Sequence, residues 1–444
     1  MKLDMATEVD SHLPGLLWHL GITRAHFAAR LPYDWRPLLE DHPEAIATLT
    51  LVCPAAADSH LLAPLGSRLM LIYGDMISNG EALLNWQENL SKGKLVSLTN
   101  YAPGNDTDIL AERGLEIGES MMEFLGQSDT SVSVPTVSLD QTEGQWGGYI
   151  YRVRGSGPPL VLLPLQYAPS QWDLLIDRLS QNYCTITVTG ANVGPVSSLE
   201  KRALGGYLDA VEKVILEADI QPGERILDIG CGPGTLDRWL ARYTSRANSI
   251  VGVDPSTYLL REAVALAKND GLDDVINFEE SGGDDLPFSD ASFDVAISFT
   301  AIQFPDADRM LAEMRRVTRP GGRVAVLARG DDRPNLININ VGTELKSKVE
   351  GVRSKGQNEL GCRDASLYQR FYQAGFSGIK IFPQLVVYTP DKDASQLENK
   401  KADVSTVLNA EELAELNRAI ASAVEEGSFF IAEWVHCAAG TNPG

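Results

Sequence analysis

Residues 225–254 run RILDIGCGPGTLDRWLARYTSRANSIVGVD. A short apolar run ends in Asp228, and glycines follow at alternate positions, Gly230, Gly232 and Gly234. Residues 235–243 have the length of a short helix, and a second apolar run, 249–253, ends in Asp254. The order strand, glycine turn, helix, strand, acid is that of a nucleotide-binding βαβ unit. Glycine suits the turn because no Cβ keeps a ligand away from the backbone. The acid after the second strand stands where a ribose diol would be gripped. Taken alone, three spaced glycines are also compatible with an ordinary tight turn. The strand before them, the helix after them and the acid beyond favour a ligand site.

Working outward, the chain of 444 residues exceeds one typical domain, and two or three are expected. Its composition, 44% hydrophobic and 22% charged, is that of a globular protein. With 38 basic against 60 acidic residues, the net charge of -22 repels phosphate backbones and anionic surfaces, which argues against nucleic-acid and membrane partners. No apolar run reaches spanning length, and the opening MKLDMATEVDSHLPG lacks the basic-then-apolar order of a signal peptide. Cysteines 53, 184, 231, 362 and 437 show no metal-type spacing. Together these features predict a cytoplasmic protein without structural disulfides or a metal site.

Upstream, strands are expected at 47–54, 68–75 and 94–100, with an amphipathic helix over 109–125, so an α/β arrangement with a mainly parallel sheet is predicted. LLWHLGITRAHF and HPEAIATLTLVCP, within 16–54, resemble the C-terminal half of an α/β-hydrolase. GSGPPLVLL and SQWDLLIDRLSQNYCTITVTG, within 155–190, resemble its N-terminal half. The halves come in reversed order, joined by the Ser-, Thr-, Gln- and Gly-rich segment 126–147. The resemblance implies one circularly permuted, catalytically dead domain: residues 1–125, the linker 126–147, and residues 148–197. Two partial domains, or halves paired across a dimer, are alternatives. Leu31 stands where the nucleophilic serine belongs, between Arg30 and Pro32-Tyr33, and the strained elbow needs small neighbours. Position 77 is Ile rather than an acid, 100–106 lacks a histidine, and Pro164-Leu165 replaces the oxyanion turn. Asp75 would have no triad to serve.

Downstream, DIGCGPGT (228–235), GVDPS (252–256), DDLPFSDASFDVAIS (284–298) and RVTRPGGRVAV (316–326) follow in order. These blocks resemble class I S-adenosylmethionine-dependent methyltransferases, of the small-molecule type that includes quinone-biosynthesis enzymes. The resemblance implies a Rossmann-like seven-stranded fold over 198–444 with strand order 3-2-1-4-5-7-6. It implies S-adenosyl-L-methionine as the methyl donor and a small-molecule acceptor. Gly230, Cys231, Gly232 and Gly234 would lie against the donor's head group and ribose, and Asp228 would hold its amino group. Asp254 would accept both ribose hydroxyls. Pro255 and Ser256 would lie at the adenine edge, and Ser298, Phe299 and the residues to Gln303 beside the sulfonium. The family often carries an aspartate before the LPF segment, to read the adenine amine. Here that place holds Ser281-Gly282-Gly283, and Asp284 sits two residues late, so its part in adenine binding is open.

Methyl transfer from a sulfonium needs alignment more than acid–base chemistry, and a base only when the acceptor must lose a proton. His436 is the single histidine of the region and a candidate base, although a packed strand residue is the favoured reading. Tyr207, on an expected helix over 199–218, is a candidate lid contact. Gln303 follows the sulfonium-side strand and is a candidate substrate or donor contact. Cys231 reads as a small filler rather than a nucleophile. Residues 331–376 are expected to form helices over the acceptor, and Asn409 with Glu412 a capping box. The expected function is a methyltransferase, with the hydrolase-like region shaping the acceptor pocket or mediating homodimerisation. A non-catalytic protein that binds S-adenosylmethionine or a metabolite is the alternative.

Overall fold

The computed structural model describes all residues except 1–12, 31–34, 55–58, 77–85, 87, 91, 103–108, 130–132, 140–141, 166–168, 191–192, 194–195, 197–198, 201–204, 353–358, 391–392, 394–396, 398–403 and 405–406. The positions compared with a hydrolase elbow, 31–33, and position 77 thus lie outside the described residues. The chain divides into two compact units, Met1–Ser197 and Ser198–Gly444.

In the first unit eight strands form one sheet: β1 (Ala25–Ala29), β2 (Ile46–Val52), β3 (Leu69–Gly74), β4 (Lys94–Leu98), β5 (Glu143–Trp146), β6 (Tyr149–Arg154), β7 (Pro159–Leu162) and β8 (Cys184–Thr189). Their order is β4-β3-β2-β1-β7-β8-β6-β5. β6 runs antiparallel to β8 and to β5, and the other pairs are parallel. Strands 1, 2 and 7 are buried at every position, as expected of parallel strands covered on both faces. One face packs on Leu13, Leu16 and Leu17 of the helix α1 (Leu13–His19). The other packs on Ile117, Met121 and Leu125 of α2 (Ile109–Asp129) and on Leu175 and Leu179 of α3 (Asp173–Leu179).

The second unit contains β9 (Arg225–Ile229), β10 (Ser249–Asp254), β11 (Ile276–Glu280), β12 (Phe293–Phe299), β13 (Thr318–Arg329), β14 (Leu336–Ile337), β15 (Ser377–Ile381), β16 (Gln384–Tyr388) and β17 (Ile431–Thr441). The path is β11-β10-β9-β12-β13-β17, with β14, β15 and β16 all pairing with β17. β9 to β13 are parallel, and β17 is inserted antiparallel to β13. This is the seven-strand order 3-2-1-4-5-7-6. The sixth strand differs from expectation: residues 377–390 make two short strands, β15 and β16, broken at Phe382-Pro383, because proline has no N–H to offer the ladder.

Alternation along β9 splits its side chains between two cores: Ile226 joins one, and Leu227 and Ile229 the other. The first core is covered by α4 (Gly206–Ala218), whose Val211, Val214 and Ile215 share one helical face. The second is covered by α7 (Ala307–Val317), through Met310, Leu311 and Met314. Helices α5 (Thr235–Tyr243) and α6 (Thr257–Asn269) connect the first strands of this sheet. The crossover after β13 carries α8 (Thr343–Glu350) and α9 (Ser366–Gln373). The helix α10 (Ala410–Glu425) starts with the expected capping box: Asn409 accepts from the N–H groups of Glu411 and Glu412 (3.0 and 2.9 Å), and Glu412 accepts from the Asn409 N–H (3.0 Å). Among the described residues no helix is long and apolar enough to cross a membrane.

Candidate active site

The glycine turn is held from beneath by one carbonyl. Val253 O accepts from the N–H groups of Gly230 (2.8 Å) and Cys231 (3.0 Å), tying the loop to the end of β10. Gly230 has φ +82°, and a Cβ there would stand 2.2 Å from the Cβ of Ala301. A Cβ on Gly234 would stand 2.6 Å from the Phe278 ring. Neither position accepts a side chain, so the loop stays bare on its ligand side. Leu199 lies against Gly232, and Glu200 accepts from the Thr235 hydroxyl (2.7 Å) and ion-pairs with Arg238, so the lead-in segment crosses the loop.

Three carboxyls converge below this turn. Asp254 accepts from Gly232 N–H (3.0 Å) and Ser256 N–H (2.9 Å), one bond to each oxygen. Burial raises its pKa, and those two N–H groups oppose the rise. Each oxygen keeps a second lone pair for a hydroxyl. Asp228 is buried, and its Oδ1 has no hydrogen-bond partner. Burial first, then the neighbouring Asp237 and Asp254, push it well above the carboxylate range. Asp237, on the first turn of α5, is buried against Asp228, and burial raises its pKa to about 7. The Cys231 thiol is pushed up too, by burial and then by Asp237, which leaves it protonated and inert. Pro255 is exposed beyond Asp254, and Ser256 caps α6 by accepting from Leu259 N–H (3.3 Å).

In the loop after β11, Asp284 turns back toward Gly282. Its Oδ1 lies 3.2 Å from the point where a Gly282 Cβ would stand.

At the end of β12 the first two residues of the expected stretch 298–303 point inward. Ser298 is fully buried, and its hydroxyl donates to the Ile229 carbonyl (2.9 Å), joining β12 to β9. Phe299 belongs to the hydrophobic core. Further along that stretch Ala301 faces Gly230, preceded by Thr300 with φ +56°, a costly conformation for a β-branched residue. Tyr207 OH lies 3.2 Å from Thr300 Oγ1, which ties the lead-in helix to the end of β12. Gln303 is buried with an unpartnered Oε1, and its backbone packs on Gly361.

From Tyr207 and Thr300 a cleft extends past the ends of β13, β16 and β17. Aliphatic side chains such as Ile337, Val349, Val386 and Ile431 wall it, and Arg329, Asp331 and Glu433 also face it. His436 does not line this cavity. Strand alternation turns it to the opposite face, where Nε2 meets Asp332 Oδ1 (2.8 Å) and Nδ1 meets Tyr368 OH (2.9 Å). Burial works to raise the Asp332 carboxyl, but the hydrogen bond and charge of His436 hold it below its usual range. Burial pushes Tyr368 to about 12. Arg329 and Glu433 line the cavity and Asp237 lies beneath the turn, none of them singled out by the motifs, whereas Thr300 falls within the expected stretch 298–303. A signal existed for Asp237, which shares a helical face with Leu240 and Ala241.

Comparison with known proteins agrees with this geometry. Residues 226–322 match the model of a family described as a methyltransferase domain. The chain is 36% identical over 116 residues to the methyltransferase GfsG of Streptomyces halstedii, a match covering 26% of this chain and 41% of that protein. It is 35% identical over 108 residues to the 2-phytyl-1,4-naphtoquinone methyltransferase of Synechococcus elongatus, covering 24% and 46%. It is 35% identical over 112 residues to the ubiquinone/menaquinone biosynthesis C-methyltransferase UbiE of Hahella chejuensis, covering 25% and 45%. The chain thus spans less than half the length of these curated relatives.

Proposed function

We propose that this chain, whose residues 198–444 form a class I S-adenosylmethionine-dependent methyltransferase domain, moves a methyl group from that donor to a small molecule held in the cavity. One observation carries the reading. Gly230, on the donor cradle, faces Ala301, while the adjacent Thr300 lines the cavity, so cradle and cavity meet within one residue. The residues present suit the donor: a loop that excludes side chains, a buried carboxyl oxygen without a partner on Asp228, and a carboxylate at Asp254 with lone pairs to spare. When bound, the donor supplies an activated methyl on a cationic sulfur. The chain's part is to hold and align. Asp228 takes the amino group, Asp254 the ribose hydroxyls and Asp284 the adenine edge. Tyr207 and Thr300 stand where the cradle meets the cavity, and the apolar walls orient the acceptor. Alignment of this kind is worth on the order of 7–11 kcal/mol in favourable systems.

Calorimetry with S-adenosylmethionine and S-adenosylhomocysteine, followed by assay of S-adenosylhomocysteine release with a metabolite extract, tests the proposal. Binding with release supports it. Binding without release across a broad panel favours a non-catalytic binding protein, and no binding defeats both.

We infer that residues 1–197 are a rearranged hydrolase-like unit kept for packing. With the segment holding β1–β4 placed after β8, the sheet would read 1-2-4-3-5-6-7-8 with the second strand antiparallel, the arrangement of an α/β-hydrolase sheet. His26 is buried and bonded to Thr48 (2.8 Å), and Leu165 is buried where an oxyanion turn would stand. An esterase assay on generic esters is expected to give no turnover. The five buried free thiols fit a reducing cytoplasm.

A further inference from the structure

The cavity wall carries an acid where the strand pattern calls for an apolar residue. Along β17 the side chains on the cavity face are Ile431, Glu433, Val435 and Cys437, and all but Glu433 are buried hydrophobics. Glu433 pairs across the ladder with Val386, which also lines the cavity. A local rule broken inside a packed wall points to function. Arg329 is the cross-strand partner of Val435, so it lies diagonal to Glu433 on the same sheet face, two residues beyond Leu327, whose carbonyl accepts from Thr300 N–H. Asp331, the other carboxylate of the wall, is ion-paired with Arg363. The group of four therefore balances, with two cations and two carboxylates. Such a wall gives a permanently charged guest no net counter-charge, and burying an unpaired ion is costly.

We propose that Glu433 is the base of the transfer and Arg329 the group that steadies the resulting anion, so that the acceptor is an uncharged molecule with an aliphatic or aromatic body and one weakly acidic hydroxyl, phenolic or enolic. This rests on the methyltransferase reading above. The hydroxyl proton passes to the Glu433 carboxylate. An electron pair of the oxyanion forms the bond to the methyl carbon, and the sulfur–methyl bond breaks with its pair left on sulfur, giving a methyl ether and a neutral thioether. Glu433 then returns its proton to water at the mouth. His436 stands on the far face of the sheet and takes no part.

A butyl-substituted nitrophenol serves as probe, since its anion absorbs where the neutral form does not, with a butyl-substituted benzylammonium as cationic control. In the intact chain saturated with S-adenosylhomocysteine, the nitrophenol is expected to bind as its anion below the pH at which it ionises in water. Arg329→Gln should return that ionisation toward the value in water. With S-adenosylmethionine, the methyl ether should form, and Glu433→Gln should lower kcat on the order of 10²–10⁴-fold and abolish the acid limb of its pH profile, with donor Kd unchanged. An unchanged pH profile in Glu433→Gln, neutral binding of the probe, no probe binding, or preference for the ammonium control would overturn the inference while leaving donor binding intact. Loss of donor binding in the wild-type chain would instead overturn the methyltransferase reading itself.

Discussion

The Cβ of Ala301 occupies the space a side chain on Gly230 would need, with 2.2 Å between the two carbons. The contact joins the donor loop after β9 to the end of β12, and it makes the two strand ends a single wall. Gly230→Ala should therefore fail twice, through this clash and through the φ of +82°. We expect a loss of about 2–4 kcal/mol in stability and no measurable donor affinity. Adding Ala301→Gly should recover the clash component but not the backbone strain. Thermal unfolding of the two variants checks this, and equal Tm values would count against the contact.

Asp254→Asn keeps the size of the side chain but replaces one acceptor oxygen by an amide. Donor affinity is expected to fall about 10–100-fold, or roughly 1.4–2.7 kcal/mol, by calorimetry with S-adenosylhomocysteine. An unaltered Kd would remove Asp254 from the site.

Asp237 has a pKa raised by burial to about 7 from an ordinary 3.8. The folded state therefore holds a proton that the unfolded state releases across that interval. The penalty is absent below the ordinary value, grows as pH rises, and is complete above about 7. Asp237→Asn should raise Tm at pH 8 and change it little near pH 4, with a ceiling of roughly 4 kcal/mol. A gain equal at both pH values would show that ionisation is not the cause.

His436→Ala removes two hydrogen bonds and leaves Asp332 and Tyr368 facing a gap. A loss of about 1–3 kcal/mol is expected, with donor affinity unchanged. The depressed Asp332 carboxyl adds stability that is present above its unfolded pKa and lost as pH falls through the folded value. Acid unfolding of the variant should therefore be less steep. A collapse of turnover at constant stability would return His436 to the active site.

The donor cradle was legible because its residues are contiguous and their chemistry leaves few substitutes. Gly230, Gly234 and Asp254 are brought together by one strand–turn–helix–strand unit. The acceptor side was not, since Arg329, Val386 and Glu433 come from three strands and meet only when β17 inserts between β13 and β16. Ser298 is a related case. A serine at a strand end reads as a ligand contact, and nothing local reveals that the Ile229 carbonyl takes its hydroxyl. Asp284 was readable as a candidate, but its return over Gly282 depends on a loop conformation that spacing alone does not encode. The uninterrupted apolar runs announced parallel strands in the first unit, whereas the neighbours of β1 depended on which segment came first in the chain.

That order of segments has a cost during synthesis. β1 sits mid-sheet between β2 and β7, and it pairs His26 with Leu160, far downstream. The nascent chain therefore leaves the ribosome with β1 to β4 made and one inner edge uncovered. The wait for β7 lasts on the order of ten seconds at ordinary elongation rates. During it, β1 offers an apolar, unpaired edge to any other chain, the usual starting point of aggregation. Yield should therefore rise with chaperone supply and fall when elongation slows through the segment before β5, even though the finished unit is closed on both faces.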